Sequence, residues 1–263
     1  MTETASVPAR TLDRLNPVAR LLCALLLALP ILITLDWVSS GAMLVLEIVA
    51  FRLVGVGFRT LRRLLPVAVL ALIAAASMAL YGRPGGTVFV RWWLVIISER
   101  SLLMALAVGL RVLALALAAV GLLGGVDPTD MADGLAQIVR LPARFVLGTL
   151  AGIRLLSLLA EDWRSLGLAR RARGLGDHGR LRRFFSMVFA LLVLAIRRGT
   201  KLATAMEVRG FGAAGRQRTW ARESRLGPAD AVGLGLTLVI DAVSLTAAVA
   251  AGTFWFIWTG VPD

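Results

Sequence analysis

Residues 102–126 read LLMALAVGLRVLALALAAVGLLGGV, a run whose one charge is Arg111. As a helix it is long enough to cross the roughly 30 Å apolar core of a bilayer, for which about 20 residues suffice. Comparable runs precede it. Val18–Leu35 is charged only at Arg20. Trp37–Phe58 is interrupted by Glu47 and Arg52, and Leu64–Tyr81 carries Pro66 in its first turn, where a proline is tolerated. Downstream, the next such run is Ala231–Trp258. The pattern predicts an all-α polytopic membrane protein with about five transmembrane helices, in which a long insert precedes the last span. Residues 1–126 hold four spans, 127–228 form the insert, and 229–263 hold the last span and the C-terminus.

The composition agrees. Of 263 residues 58% are hydrophobic, and the mean hydropathy is +0.81, more apolar than a soluble domain of this length requires. Trp92 and Trp93, and the cluster Phe254, Trp255, Phe256 and Trp258, suit the aromatic belts of a membrane interface. A basic stretch before a leucine-rich core also describes a signal peptide, but Cys23 lies inside that core and further spans follow, so the first run is expected to be retained.

The net charge is +13, and Lys201 is the only lysine among 29 basic residues. Arginine-rich loops beside apolar spans reflect retention of positive charge on the cytoplasmic face, and nucleic-acid binding is not expected. Residues 127–228 carry 18 of the basic and 8 of the acidic residues, a net of +10. The insert is therefore expected in the cytoplasm, the N-terminus inside and the C-terminus outside. Segment 82–101, with Arg83, Arg91 and Arg100 against Glu99, fits this sorting least well.

Several chemistries are excluded. One cysteine, Cys23, and one histidine, His178, allow neither a disulfide nor a Cys/His metal site. A Ser-His-Asp triad would need His178, which sits in an arginine- and glycine-rich stretch. The lysine of a P-loop is missing, because Lys201 follows Gly199 and Thr200 outside that pattern. If ATP drives this protein, another subunit binds it, and this chain is expected to bind no cofactor or metal.

The insert carries helical patterns. Asp127-Pro128-Thr129-Asp130 marks a helix start. Phe145, Leu147, Leu150, Ile153, Leu156, Leu159 and Trp163 recur with charged positions between Pro142 and Ala172. A second pattern runs from Phe184 to Val208, in which the apolar stretch Met187–Ile196 is too short to span.

The two patterns end alike. Ala169-Arg-Arg-Ala172-Arg173-Gly174-Leu-Gly176-Asp-His-Gly179-Arg180 matches Ala205-Met-Glu-Val208-Arg209-Gly210-Phe-Gly212-Ala-Ala-Gly215-Arg216 at a shift of 36. Glycine after the last turn accepts a left-handed backbone and stops the helix. Arginine in the last turn is favoured by the negative end of the helix dipole, and its planar fork suits carboxylates or carbonyls in a partner's groove. One copy reads as a well-capped helix with a solvated arginine. Two copies suggest a docking element used twice, for two similar partners. Both endings also spell G-x-G-x-x-G, but a dinucleotide fingerprint follows a strand and opens a helix, whereas here a helix precedes each copy.

These residues resemble the transmembrane T component of energy-coupling-factor (ECF) transporters, the EcfT/CbiQ family. The resemblance rests on Ala172-Arg173-Gly174 and Val208-Arg209-Gly210, similar to the Ala-Arg-Gly signatures of that family's coupling helices, with valine at 208 where alanine is usual. Leu12-Asp-Arg-Leu-Asn16-Pro17-x-x-Arg20-Leu, Asp127-Pro128-Thr129 and Arg140-Leu-Pro142 are also similar to family motifs. The resemblance implies a scaffold in a cell membrane that links two ABC-type ATPases to a small substrate-binding S component for vitamin or transition-metal uptake. It implies that Arg173 and Arg209 each enter the groove of one ATPase. Phe145, Leu156, Met187 and Ile196 are the candidates for the surface that meets the S component.

Glu47, Arg111 and Asp241 are charges inside predicted spans, where an unpaired charge costs about 2.5–3.5 kcal/mol on insertion scales. The expectation is interhelical pairing of Arg111 with Glu47 or Asp241. The alternative is a self-sufficient secondary transporter that uses these three groups, although two related membrane halves are not visible. A membrane enzyme would draw on Asp127, Asp130 and Asp133, whose spacing also occurs at ordinary helix starts.

Overall fold

The computed structural model describes residues 11–34, 36–56, 63–82, 85–92, 95–174, 179–211, 220 and 222–253. Arg83, Trp93, Gly176, His178, Gly212, Gly215, Arg216 and Phe254–Trp258 lie outside them. The described chain is helical apart from one hairpin. After a 3-10 turn at Thr11–Arg14 come α1 (Pro17–Ile33), α2 (Trp37–Leu53) and α3 (Leu65–Tyr81). The hairpin pairs β1 (Val88–Trp92) with β2 (Val95–Ser98), antiparallel. Then follow α4 (Glu99–Leu123), α5 (Pro128–Gln137), α6 (Ala143–Ala172), α7 (Arg180–Val208) and α8 (Pro228–Ala250).

Each of the five apolar runs holds one helix: α1, α2, α3, α4 and α8. Helix α4 begins three residues before its apolar run. The Ser98 hydroxyl accepts from the Ser101 amide (3.3 Å) and the Ser101 hydroxyl from the Ser98 amide (3.0 Å), a reciprocal cap. The hairpin was missed by the sequence reading, although Val88-Phe89-Val90 and Val95-Ile96-Ile97 are β-branched and aromatic runs. Helices α4, α6 and α8 are long and apolar enough to cross a membrane. Helices α1 and α3 are apolar but have 17 residues, a rise of about 25 Å. Helix α6 is expected in the insert because charged positions recur among its apolar ones within a stretch of net +10. Its N-terminal half carries only Arg144 and Arg154, so length and composition alone group it with the spans.

The chain divides into two compact units, Met1–Asp127 with Arg225–Asp263, and Pro128–Ser224. The C-terminal segment thus belongs with the N-terminal helices.

In the first unit, α4 packs on α1, α2 and α3, and α8 packs on α1 and α2. Their shared core holds Cys23, Leu27 and Ile31 from α1, Met43 and Phe51 from α2, Ala114, Leu117 and Leu122 from α4, and Ile240 from α8. The outward faces are apolar as well. Helix α3 buries Ala71 and exposes Leu65, Val69, Leu70, Leu72 and Ile73, which is the distribution that lipid, not water, accepts. Small residues bring helices close: a side chain at Gly121 would run into the Phe51 ring, and one at Gly109 would touch Ala75.

The ends of this unit are clasped. The Asn16 amide donates to Asp230 Oδ1 (2.7 Å), and the Asn16 side chain both caps α1 at the Val18 amide (2.9 Å) and donates to the Arg225 carbonyl (3.2 Å). Asp230 Oδ2 accepts from the Gly227 amide (2.7 Å) at the start of α8. The Arg20 guanidinium reaches the Leu12 carbonyl. The N-terminal motif is therefore a structural tie between the first and last helices.

In the second unit α5 packs on α6, and α6 on α7. Gln137 holds the segment after α7 to α5, accepting from the Ser224 amide (2.9 Å) and donating to the Arg222 carbonyl (2.8 Å), beside an exposed Arg222–Asp130 ion pair (3.0 Å). Asp130, a candidate catalytic acid of the enzyme alternative, is thus one partner of a surface ion pair.

Candidate functional site

Two long helices that carry the same termination make the site. Helix α6 ends at Ala172, with Arg173 at φ −89° and Gly174 left-handed at φ +71°. Helix α7 ends at Val208, with Arg209 at φ −80° and Gly210 left-handed at φ +80°. Even the hydrogen bonds correspond. The Arg173 amide donates to the Ala169 carbonyl and the Arg209 amide to the Ala205 carbonyl, both at 3.3 Å. The Gly174 amide donates to the Arg171 carbonyl (3.0 Å) and the Gly210 amide to the Glu207 carbonyl (2.8 Å). Phe211 closes the second copy through a bond from its amide to the Met206 carbonyl (2.9 Å).

Arg173 and Arg209 are both exposed, with Ala172 and Val208 exposed beside them. Among the described residues neither guanidinium has a hydrogen-bond or ion-pair partner. A left-handed glycine directly follows each arginine.

Helices α6 and α7 are joined by polar and aromatic contacts. Asp162 and Arg198 form a two-point ion pair, with Nη2 to Oδ1 at 3.2 Å. Arg170 donates to the Ser186 hydroxyl (2.6 Å), and Trp163 meets Phe184 edge to face with centroids 5.7 Å apart. A groove of about 530 Å³ between the helices is lined by Arg164, Gly167, Arg171, Arg183 and Met187 as well as that aromatic pair.

The four residues expected on the S-component surface divide. Phe145, Leu156 and Ile196 are exposed, each above 60%. Met187 is 3% exposed: it lies inside the α6–α7 pair, where a side chain at Gly167 would come within 3.9 Å of its Cε. The spacing that groups Met187 with Ile196 does not distinguish the face turned to α6 from the free one. The exposed apolar face of α7 comprises Phe185, Phe189, Leu192, Val193 and Ile196.

The intramembrane charges are also arranged differently from expectation. Glu47 and Asp241 do not pair with Arg111. Glu47 is buried, and among the described residues neither of its oxygens has a hydrogen-bond partner. Asp36 instead caps α2, accepting from the Ser39 amide (2.7 Å) and hydroxyl (2.6 Å).

Asp162, Arg198, Asp230 and Asp36 were not singled out in the sequence. Asp36-x-x-Ser39 and Gly227-Pro-Ala-Asp230 are legible as helix starts. Asp162 and Arg198 are themselves 36 residues apart, the shift that aligns the two endings.

The chain matches the family model described as Cobalt transport protein, CbiQ, over residues 8–220, a span that includes both endings. It is 29% identical over 206 residues to the energy-coupling factor transporter transmembrane protein EcfT of Exiguobacterium sibiricum, covering 74% of this chain and 76% of that protein. To the protein of the same name from Brevibacillus brevis it is 27% identical over 227 residues, covering 81% and 85%. A third EcfT, from Bacillus selenitireducens, is 32% identical over 127 residues, covering 44% of this chain and 47% of that protein.

Proposed function

The chain belongs to the CbiQ family, as a transmembrane energy-coupling component of ECF transporters, and from that membership we propose that it couples two ABC-type ATPases to a small substrate-binding membrane protein. The observation that carries this reading is the repeated ending. Two helices present an exposed arginine followed by a left-handed glycine with matching backbone hydrogen bonds, as two equivalent grooves would require. Arg173 and Arg209 each dock in one ATPase, with Ala172 and Val208 small enough beside them to admit the groove wall, and Gly174 and Gly210 ending each helix.

ATP binding and hydrolysis belong to those subunits, and this chain holds no cofactor. Closure of the ATPase pair changes the separation of the two endings. That motion passes along α6 and α7 to the exposed apolar side chains Phe145, Leu156 and Ile196, which face the S component. The S component carries a vitamin or a transition-metal ion. The first unit anchors the assembly in the bilayer, with the N-terminus cytoplasmic and the C-terminus outside, as the sorting of arginines suggests.

Purification of the tagged chain from its native membrane tests this. Wild type is expected to bring down ABC-type ATPases and a small apolar membrane protein. Arg173→Glu with Arg209→Glu is expected to lose the ATPases at least tenfold while the chain stays in the membrane. A double variant that keeps them at the wild-type level overturns the docking assignment.

A further inference from the structure

The first unit contains a cavity of about 300 Å³ bounded by α1, α2, α4, α8 and the N-terminal turn, and Glu47 is part of its wall. Glu47 is 1% exposed, and both of its carboxyl oxygens are buried without a hydrogen-bond partner. Asp241 of α8 also has a buried oxygen without one. The remaining wall is almost wholly apolar, with Leu27, Phe51, Leu122 and Ile240. Its hydroxyl, on Thr237, is given to the Gly233 carbonyl (2.9 Å). Arg14, Val232 and Leu236 are exposed and mark the mouth.

Among the described residues nothing satisfies Glu47 in either protonation state. Ionised, it needs a cation, and Arg14 of the same wall is exposed at the mouth and makes no ion pair with it among the described residues. Neutral, it is a donor without an acceptor. A buried acid in an apolar pocket is complementary to a positive head on an aliphatic stem, the stem filling the apolar wall and the head reaching the acid. Lysine and arginine have this form, and charged side chains within membranes are found paired in such interiors.

We propose that this cavity receives a lysine or arginine side chain from a transmembrane helix of the small membrane partner, with Glu47 as its counter-ion. The identity of the partner rests on the coupling reading above. The chemistry of the occupant rests on the cavity alone, and the two are separable by experiment.

The purified chain in detergent is first unfolded thermally with n-hexylammonium or n-hexanol as probe. Hexylammonium is expected to raise the midpoint of wild type and to lose that effect in Glu47→Gln, while hexanol acts equally on both. An equal hexylammonium shift in the two proteins overturns the proposal. Thr237→Phe fills the cavity and keeps the acid. It is expected to abolish the shift as well, and carries the test alone if Glu47→Gln does not fold. The complex is then recovered from native membranes. Glu47→Gln and Thr237→Phe are expected to retain the ATPases and to lose the small membrane protein about tenfold. If both variants keep that protein at the wild-type level, its side chain is not the occupant and the proposal falls. If wild type itself recovers neither ATPase nor small membrane protein, the coupling reading falls and takes the partner with it, whereas the hexylammonium result still decides the chemistry of the cavity.

Discussion

Asp162 of α6 and Arg198 of α7 grip each other at two points, and they are separated by the same 36 residues that align the two helix endings. Arg173 and Arg209 each follow their member of this pair by eleven residues, about 16 Å of helix. The pair therefore joins equivalent positions of two similar helices, and each exposed arginine lies the same distance along its helix from the junction. Such a junction suits a pivot between two docking ends.

The pair is partly exposed, so its contribution to stability is about 0.5–1 kcal/mol. Asp162→Arg or Arg198→Asp alone is expected to lower the thermal midpoint of the detergent-purified chain, and the exchanged double variant to recover most of the loss. Recovery of the ATPases is expected to be unchanged in the single variants, while substrate uptake falls. Uptake at the wild-type level in both single variants would show that the junction transmits nothing.

Gly174 has no neighbouring atom within 4 Å of where a side chain would start, so a substitution there meets no steric obstacle beyond its own backbone. At φ +71° that backbone penalty is about 1 kcal/mol for alanine. Gly174→Ala is expected to fray the end of α6, read as faster hydrogen exchange at the Arg173 and Gly174 amides. Gly174→Asn, which tolerates the left-handed region better, is expected to exchange more slowly than alanine.

Asp230 accepts from two backbone amides, those of Asn16 and Gly227, and is 3% exposed. Asp230→Ala removes the acceptor of both amides, of which Asn16 is half-buried and Gly227 exposed, at a cost of about 1–3 kcal/mol in all. The expected result is a chain that is extracted poorly or unfolds early. Asp230→Asn keeps one acceptor and is expected to lose less. Equal midpoints for wild type and Asp230→Ala would mean that the clasp contributes nothing.

Gly121 faces the Phe51 ring so closely that an added Cβ would lie 2.5 Å from Cζ. Gly121→Ala is expected to cost about 1–3 kcal/mol by overpacking. Phe51→Leu in the same chain is expected to restore part of it, and a double-mutant cycle in thermal unfolding measures the coupling. A cycle that closes to zero would remove this contact from the packing of α2 on α4.

Much of the architecture was legible because the membrane imposes one rule over each whole span. A run such as 102–126 must be helical and apolar whatever it packs against, and the helix stops at Arg-Gly are local backbone chemistry. Both survive as expected, down to the left-handed Gly174 and Gly210. The hairpin at Val88–Ser98 escaped because its strands are short and its apolar residues read equally well as flanks of a span.

Which partner each charged or apolar side chain meets was not legible. Met187 and Ile196 share a helix and a hydropathy, yet only the approach of α6 over Gly167 buries the first and leaves the second open. Glu47 and Arg111 are opposite charges in adjacent spans, and pairing them was the simplest reading. Among the described residues neither Glu47 nor Asp241 pairs with Arg111, and both Glu47 oxygens are buried without a hydrogen-bond partner.

The sequence by itself determined the helices, their ends and the duplication of the arginine-bearing terminus, because each follows from periodicity, capping and solvent preference over a few neighbouring residues. Only the tertiary structure decided that Asn16 is tied to Asp230, that Asp162 is tied to Arg198, and that Glu47 stands unpartnered at a cavity. Such pairings depend on the rotation and approach of whole helices, which arise from the sum of many side-chain contacts and are encoded at no single position.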